Sequence, residues 1–289
     1  MDLLPLEGNL DATSDTGIIL PTYCEVANIE RLIQEIESLN LGMSILVIDD
    51  SSPDHTAETV RRLQREHENI LLLVRPKKSG LGTAITDGFK AFLSLKNPPK
   101  CIVTMDADYS HNPKDIPKLM GPVKKGYSLV IGSRYCEGGG AVDWSLVRLV
   151  ISKVANLIAS SLIGEKLNDY TSGMRCYSTK MVNAIIGDLH SETYEIQIET
   201  IRQAHLRRFK IGEVPIIFTN RKKGKSKLSF NEIKQFVSYI FFKAVLHTDV
   251  KVENTSRSIV KTCFCLSGVC LTSSMFNELV SVASKHAVI

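Results

Sequence analysis

The sequence predicts an α/β protein, a mostly parallel sheet with helices on both faces, and three observations carry that expectation. Short unbroken apolar runs recur through the first half of the chain, segments of helical period separate them, and acidic residues stand directly behind several of the runs. A parallel strand buried on both faces reads as a continuous apolar run rather than an alternating one. Strands alternating with helices build repeated βα units, and ligands on such sheets lie beyond the carboxyl ends of the strands.

Taken in order, the strand candidates are "TGIILP" (16–21), "MSILVIDD" (43–50), "NILLLVRP" (69–76), "KCIVTMDAD" (100–108) and "YSLVIGSRY" (127–135). Their spacing of roughly 25 to 30 residues suits βα units. Between them, "NIERLIQEIESL" (28–39) places Ile29, Leu32, Ile33 and Ile36 on one helical face, and "HTAETVRRLQREH" (55–67) follows the start signal Ser-Pro-Asp. The second half changes character. "LVRLVISKVANLIASSLI" (146–163) has helical period but is apolar around most of its circumference, which fits either a buried helix or one lying against a membrane or a membrane-embedded partner. "KIGEVPIIF" (210–218) predicts a late strand, and residues 230–247 predict a second amphipathic helix with the same ambiguity. The resulting domain expectation is a flexible N-terminus over 1–16, one α/β domain over 17–249 and a tail over 250–289.

With 289 residues, 44% of them hydrophobic and 23% charged, the chain can bury a sizeable core. A net charge of +4 gives no polycationic field, so no nucleic-acid partner is expected. Seven cysteines, an odd number without paired C-x-x-C spacing, and an N-terminus without an apolar h-region predict a reducing, cytosolic setting. No run reaches the roughly 18 to 20 apolar residues that span a bilayer.

Asp106 and Asp108 close the fourth run, one small residue apart. Two carboxylates so close repel unless a cation shares them, and Mg²⁺ or Mn²⁺ fits, taking oxygen ligands from carboxylates and nucleotide phosphates. The plainer reading is a helix cap or an arginine partner. Asp49 and Asp50 follow "ILVI" and Glu25 follows "PTYC", so three strand ends bring acids to one rim, where carboxylates hydrogen-bond ribose hydroxyls in nucleotide-binding sheets. Gly80-Leu81-Gly82 lacks the third glycine of a dinucleotide loop, and no P-loop pattern exists. Candidate cations for a phosphorylated ligand are Arg134, Arg175 and the basic stretch Arg221, Lys222, Lys223, Lys225 and Lys227; a solvated loop and an Arg175–Asp169 pair are the bland alternatives.

In order and spacing, "ILPTYCEVANI", "VIDDSSPDHT", "MDADYSHNPKDIPKL", "VIGSRYCEGGG", "WSLVRLVISKVAN", "DYTSGMRCY", "YEIQIE" and "IGEVPIIFTNRKKGKSKLSFNEI" resemble the dolichyl-phosphate mannosyltransferases among the family 2 glycosyltransferases. The resemblance implies a GT-A (Rossmann-like) fold that transfers mannose from GDP-mannose to dolichyl phosphate, with inversion, at the cytosolic face of the endoplasmic reticulum membrane. The product would serve protein glycosylation and GPI-anchor assembly. It further implies a peripheral catalytic subunit that works with small membrane-embedded regulatory subunits. Carried over by position, Pro21, Tyr23 and Glu25 match the first nucleotide-binding turn, and Ile48 and Asp50 match the residues around base and ribose. Asp106, Ala107 and Asp108 match the metal and diphosphate site. Arg134, Arg221 and Lys227 match cations around diphosphate and sugar, and Ser172 and Arg175 match the acceptor-phosphate segment; Asp108, Arg134 and Arg175 are the expected catalytic residues. The resemblance is imperfect: Cys24 stands where the family usually has Asn, His55 where it has Gly, and Thr193 and Ile196 where it has Gly and Phe. Related enzymes use UDP-glucose, and a non-catalytic nucleotide-sugar-binding subunit is a third reading.

Overall fold

The computed structural model describes residues 5–11 and 14–220; Arg221, Lys227, the helix expected at 230–247 and the tail lie outside the described residues. An eight-stranded sheet organises the described chain. Its strands are β1 (Leu6–Glu7), β2 (Thr16–Thr22), β3 (Ser44–Asp49), β4 (Ile70–Val74), β5 (Cys101–Thr104), β6 (Leu129–Ser133), β8 (Arg175–Ser178) and β9 (Ile211–Pro215), in the spatial order β1-β4-β3-β2-β5-β8-β6-β9. Pairing is parallel from β4 to β5 and between β6 and β9, whereas β1 and β8 run against their neighbours. A two-stranded ribbon joins β7 (Gly140–Val142) to β10 (Ile217–Thr219) in parallel.

Both faces are covered, and alternation along each strand divides the core. Ile18 and Leu20 of β2 and Ile45 and Val47 of β3 join Ile29, Leu32, Ile33 and Ile36 of α1 (Val26–Glu37) and Val60 and Leu63 of α2 (Thr56–Leu63) in one buried cluster. Ile19 and Ile48 point the other way, towards α3 (Leu81–Ser94). Gly88 lets α3 lie that close, because a Cβ there would fall 2.8 Å from Ile19 Cδ1 and 2.7 Å from Ile48 Cδ1. Phe92 fills the space above Gly17 and is fully buried, so truncation to alanine would cost about 3–5 kcal/mol. Four further helices complete the layers: α4 (Ile116–Lys124), α5 (Leu146–Ile163), α6 (Thr179–Ile185) and α7 (Ile196–Leu206).

Three elements depart from expectation. Leu6 and Glu7, in the segment expected to be flexible, form an edge strand on β4, and Arg61 holds Glu7 through two hydrogen bonds. β8 was not foreseen; it inserts antiparallel between β5 and β6. The single late strand is two, because the chain leaves the main sheet after Pro215 and enters the ribbon at Ile217. As for α5, begun by the Ser145 side chain and closed by left-handed Gly164, it is not a buried helix: Leu146, Val150 and Leu157 are exposed, and Val154 is just exposed. No helix among the described residues is long and apolar enough to cross a membrane.

Candidate active site

Parallel register brings the strand ends together. Thr22 of β2 stands beside Asp49 of β3, and Ile19 beside Thr104 of β5, so "YCE", Asp50 and "DAD" leave the sheet at one rim. There the chain turns through left-handed residues: Cys24 (φ 59°), Ser51 (φ 51°), His55 (φ 68°) and Tyr109 (φ 61°). Such conformations are uncommon outside glycine and asparagine and gather at functional turns. The two family departures at this rim, Cys24 for Asn and His55 for Gly, therefore fall where those usual residues are the ones that tolerate the backbone.

An open cleft occupies the rim. Seven of the expected residues line it: Pro21, Tyr23, Glu25, Asp50, Asp106, Ala107 and Asp108. Gly80, Leu81, Ala84, Thr193 and Tyr194 also line it, and Lys78, the one cation among the described lining residues, sits 4.5 Å from the Tyr23 ring centroid. Gly80 and Gly82 do matter here, although not as a phosphate loop. A Cβ on either would fall 2.3 Å from the carbonyl oxygen of Glu192 or Ser191, and Gly82 N–H donates to the Glu192 carbonyl, so the pair docks α3 against the turn carrying Thr193 and Tyr194.

The acids divide by environment. Asp49 is fully buried and accepts from Ser52 N–H (2.8 Å), Ser52 Oγ (2.6 Å) and Thr22 Oγ1 (3.1 Å), which makes it a turn brace. Asp50 faces the cleft but accepts from Arg75 Nε at 2.6 Å; Arg75 also reaches Thr83 Oγ1 and the Gly80 carbonyl, tying the start of α3 to the rim. Ala107 packs into the core between its acidic neighbours, anchoring the backbone that presents them. Asp108 Oδ1 accepts from Ser110 N–H, while Asp106 has about a third of its side chain (35%) exposed. Two hard oxygen donors on a rigid turn suit a divalent cation whose remaining ligands are phosphate and water oxygens. No cluster of three acidic, histidine or cysteine ligands exists among the described residues.

His111 escaped the sequence reading. Its ring is buried, Nδ1 accepts from Asp106 N–H at 3.2 Å, and the ring packs edge-on against Phe218. Burial pushes its pKa down to about 4 against the pull of the Asp108 charge, so the ring is neutral at physiological pH and serves to fix the Asp106 backbone. Its place three residues behind the second acid was the available signal.

The expected cations are less available. Arg134, at the end of β6, forms a bidentate pair with buried Asp169 (Nε–Oδ2 2.7 Å, Nη2–Oδ1 2.7 Å) and also reaches Thr171. Burial opposes both charges, yet their mutual attraction and hydrogen bonds hold Asp169 below and Arg134 above their usual pKa values. Thus Asp169 belongs to Arg134, not Arg175. Arg175 has no exposed surface; its guanidinium donates to the carbonyls of Ser172 (2.7 Å), Gln197 (2.6 Å) and Tyr170 (2.8 Å) and to Thr200 Oγ1 (3.0 Å). Burial lowers its pKa. In that geometry the side chain braces the backbone of its neighbours. Ser172 is buried beside it with no partner on its hydroxyl, and Ile48, expected near the base, lies in the core with only its neighbours at the rim.

The model of glycosyl transferase family 2 matches residues 17–186, more than half of the chain and the whole of this rim up to β8. The chain belongs to glycosyl transferase family 2. This glycosyltransferase is 36% identical over 225 residues to a polyprenol monophosphomannose synthase of Mycolicibacterium smegmatis, covering 77% of this chain and 84% of the relative. It is also 36% identical over 213 residues to an undecaprenyl-phosphate mannosyltransferase of Micrococcus luteus, covering 73% and 86%. Among solved structures, glucosyl-3-phosphoglycerate synthase of Mycobacterium tuberculosis in complex with Mn²⁺, UDP and glucosyl-3-phosphoglycerate superposes with a TM-score of 0.59 at 18% identity, over 82% of this glycosyltransferase and 81% of that chain. That likeness speaks for the shared fold.

Proposed function

We propose that this glycosyltransferase moves mannose from GDP-mannose to dolichyl phosphate with inversion at the sugar carbon, as a peripheral enzyme of the endoplasmic reticulum membrane working with small membrane-embedded subunits. The observation that carries the reading is the pairing of Asp106 and Asp108 at the end of a buried strand, inside a cleft also lined by Tyr23, Glu25 and Asp50, in a chain whose relatives are named for mannose and polyprenyl phosphates. Asp50, held by Arg75, would accept from ribose hydroxyls. Asp106 and Asp108 would hold Mg²⁺ or Mn²⁺, which when bound neutralises the diphosphate of the departing nucleotide.

The acceptor chemistry asks little of the protein. A phosphate monoester is already ionised at neutral pH, so attack needs no general base, and positioning with electrostatics supplies the acceleration. Neutral, buried His111 accords with that, since it braces a ligand-bearing backbone instead of taking a proton. The Leu146, Val150 and Leu157 stripe of α5 offers an apolar surface suited to a lipid acceptor or a membrane partner.

Purified protein given GDP-mannose, Mg²⁺ or Mn²⁺ and dolichyl phosphate should form mannosyl lipid, and Asp108→Asn should lower turnover by roughly a thousandfold, the scale of losing a principal electrostatic contact. Turnover with UDP-glucose alone would replace the donor, and binding without turnover in the presence of membrane partners would leave a non-catalytic subunit.

A further inference from the structure

We infer that the side-chain amide of Gln197 reads a hydroxyl of the transferred sugar, in a polar recess at Gly173 beside Asp106. The inference rests on the proposed reading of the cleft as a nucleotide-sugar site and adds to it the group that recognises the sugar. Gln197 is the second residue of α7 and only 2% exposed, yet neither its Nε2 nor its Oε1 has a hydrogen-bond partner. Buried polar side chains are nearly always paired, so an amide with both ends open calls for a ligand. Gly173 shows where that ligand goes. A Cβ at this position would lie 3.5 Å from Asp106 Oδ1 and 3.7 Å from Gln197 Nε2, so the missing side chain leaves the carboxylate and the amide facing one small space. The neighbouring Ser172 hydroxyl is likewise buried and unpaired.

The chemistry of the recess selects its occupant. The Gln197 amide offers an open donor and an open acceptor, and a phosphate, bringing only acceptors, would leave Oε1 unserved. A hydroxyl both donates and accepts, and so can serve carboxylate and amide at once. Gln197 lies one helical turn behind Thr193 and Tyr194, which line the cleft, so the amide stands directly behind the wall of the nucleotide-sugar site. Arg175 sets the geometry: one guanidinium bonds the carbonyls of Gln197 and Ser172 and locks the two halves of the recess together. Arg175 is thus a positioning residue here, acting through the residues it holds.

The test compares wild type with Gln197→Leu by titration calorimetry with GDP, GDP-mannose, UDP and UDP-glucose in the presence of Mn²⁺, alongside thermal unfolding without ligand. The expected result is that Gln197→Leu binds GDP as wild type does but GDP-mannose roughly tenfold more weakly, the scale of a buried neutral hydrogen bond lost. Its unliganded melting temperature should hold or rise, because leucine replaces an unsatisfied amide. A sugar-nucleotide to nucleotide affinity ratio unchanged by the substitution for both pairs overturns the inference, as does a lower melting temperature with GDP binding weakened in proportion. A wild type that prefers UDP-glucose overturns the donor assignment instead, and the UDP-glucose to UDP ratio of the variant then decides on Gln197.

Discussion

Replacing Arg175 with lysine separates its two roles, brace and phosphate ligand, by measurable magnitudes. In the structure the guanidinium satisfies three buried carbonyls and one hydroxyl, at 2.6 to 3.0 Å. Hydrogen bonds from a charged donor are worth about 1.5–3 kcal/mol each, and a lysine ammonium, lacking the planar fork, replaces one or two of the four. With two bonds lost at the lower value, the net loss comes to about 3 kcal/mol, which for a domain of this size lowers the melting temperature by about 10 °C. Trp144, the sole tryptophan, packs against Phe218 and the guanidinium of Arg148 and reports unfolding in urea by its fluorescence. If Arg175→Lys unfolds at the wild-type urea midpoint while transfer collapses through a raised KM for the lipid phosphate, the bracing account is wrong and Arg175 meets the acceptor.

Other perturbations follow from the same geometry. His55 holds a left-handed backbone with its side chain 82% exposed, so His55→Gly should stabilise by about 0.5 kcal/mol, the relief of φ outweighing added unfolded-state entropy; a loss near 1 kcal/mol in chemical denaturation would contradict this. Asp169→Asn leaves Arg134 buried without its counter-charge and should cost about 3 kcal/mol. Because the folded-state pKa of Asp169 lies below its usual value, the stability it adds is present above pH ~4 and is lost as pH falls through the folded value; the acid limb of the wild-type pH–stability curve should be shallower in the variant. Finally, Glu25, Asp50, Asp106 and Asp108 face the cleft with Lys78 as the one described cation, so chelation of divalent ions should weaken GDP by roughly tenfold or more and guanosine hardly at all, and equal losses for both would place the cation elsewhere.

The parallel part of the sheet was legible because strands buried on both faces must be apolar throughout, and β2 to β6 each show such a run. β8 was not, since its four residues begin with Arg175, and a buried charge inside a short strand breaks the pattern that announces one. Its guanidinium is tolerated only because carbonyls from Tyr170 and Gln197, distant in sequence from one another, converge on it. The apolar circumference of α5 could not reveal its exposed stripe, because the residues left in solvent, Leu146, Val150 and Leu157, are of the same aliphatic kind as the half-buried Leu149 and Ile158.

In the site, acids and cations differed in how far sequence could place them. Short carboxylates follow the backbone, so strand register alone was enough to put Glu25, Asp50, Asp106 and Asp108 in one cleft. Long arginines go where their partners are, and those partners lie far along the chain: Asp169 claims Arg134 across 35 positions and the Gln197 carbonyl claims Arg175 across 22. Neither arginine therefore lines the cleft. In the proposed reading, the cation that the described residues offer a nucleotide diphosphate at the cleft is Lys78 beside Tyr23, with a divalent ion on the acid pair. Lys78 follows β4 in "RPKKSG", a stretch with no pattern of its own, and acquires meaning only when Gly80 and Gly82 bring α3 against the 191–194 turn and leave that lysine at the mouth.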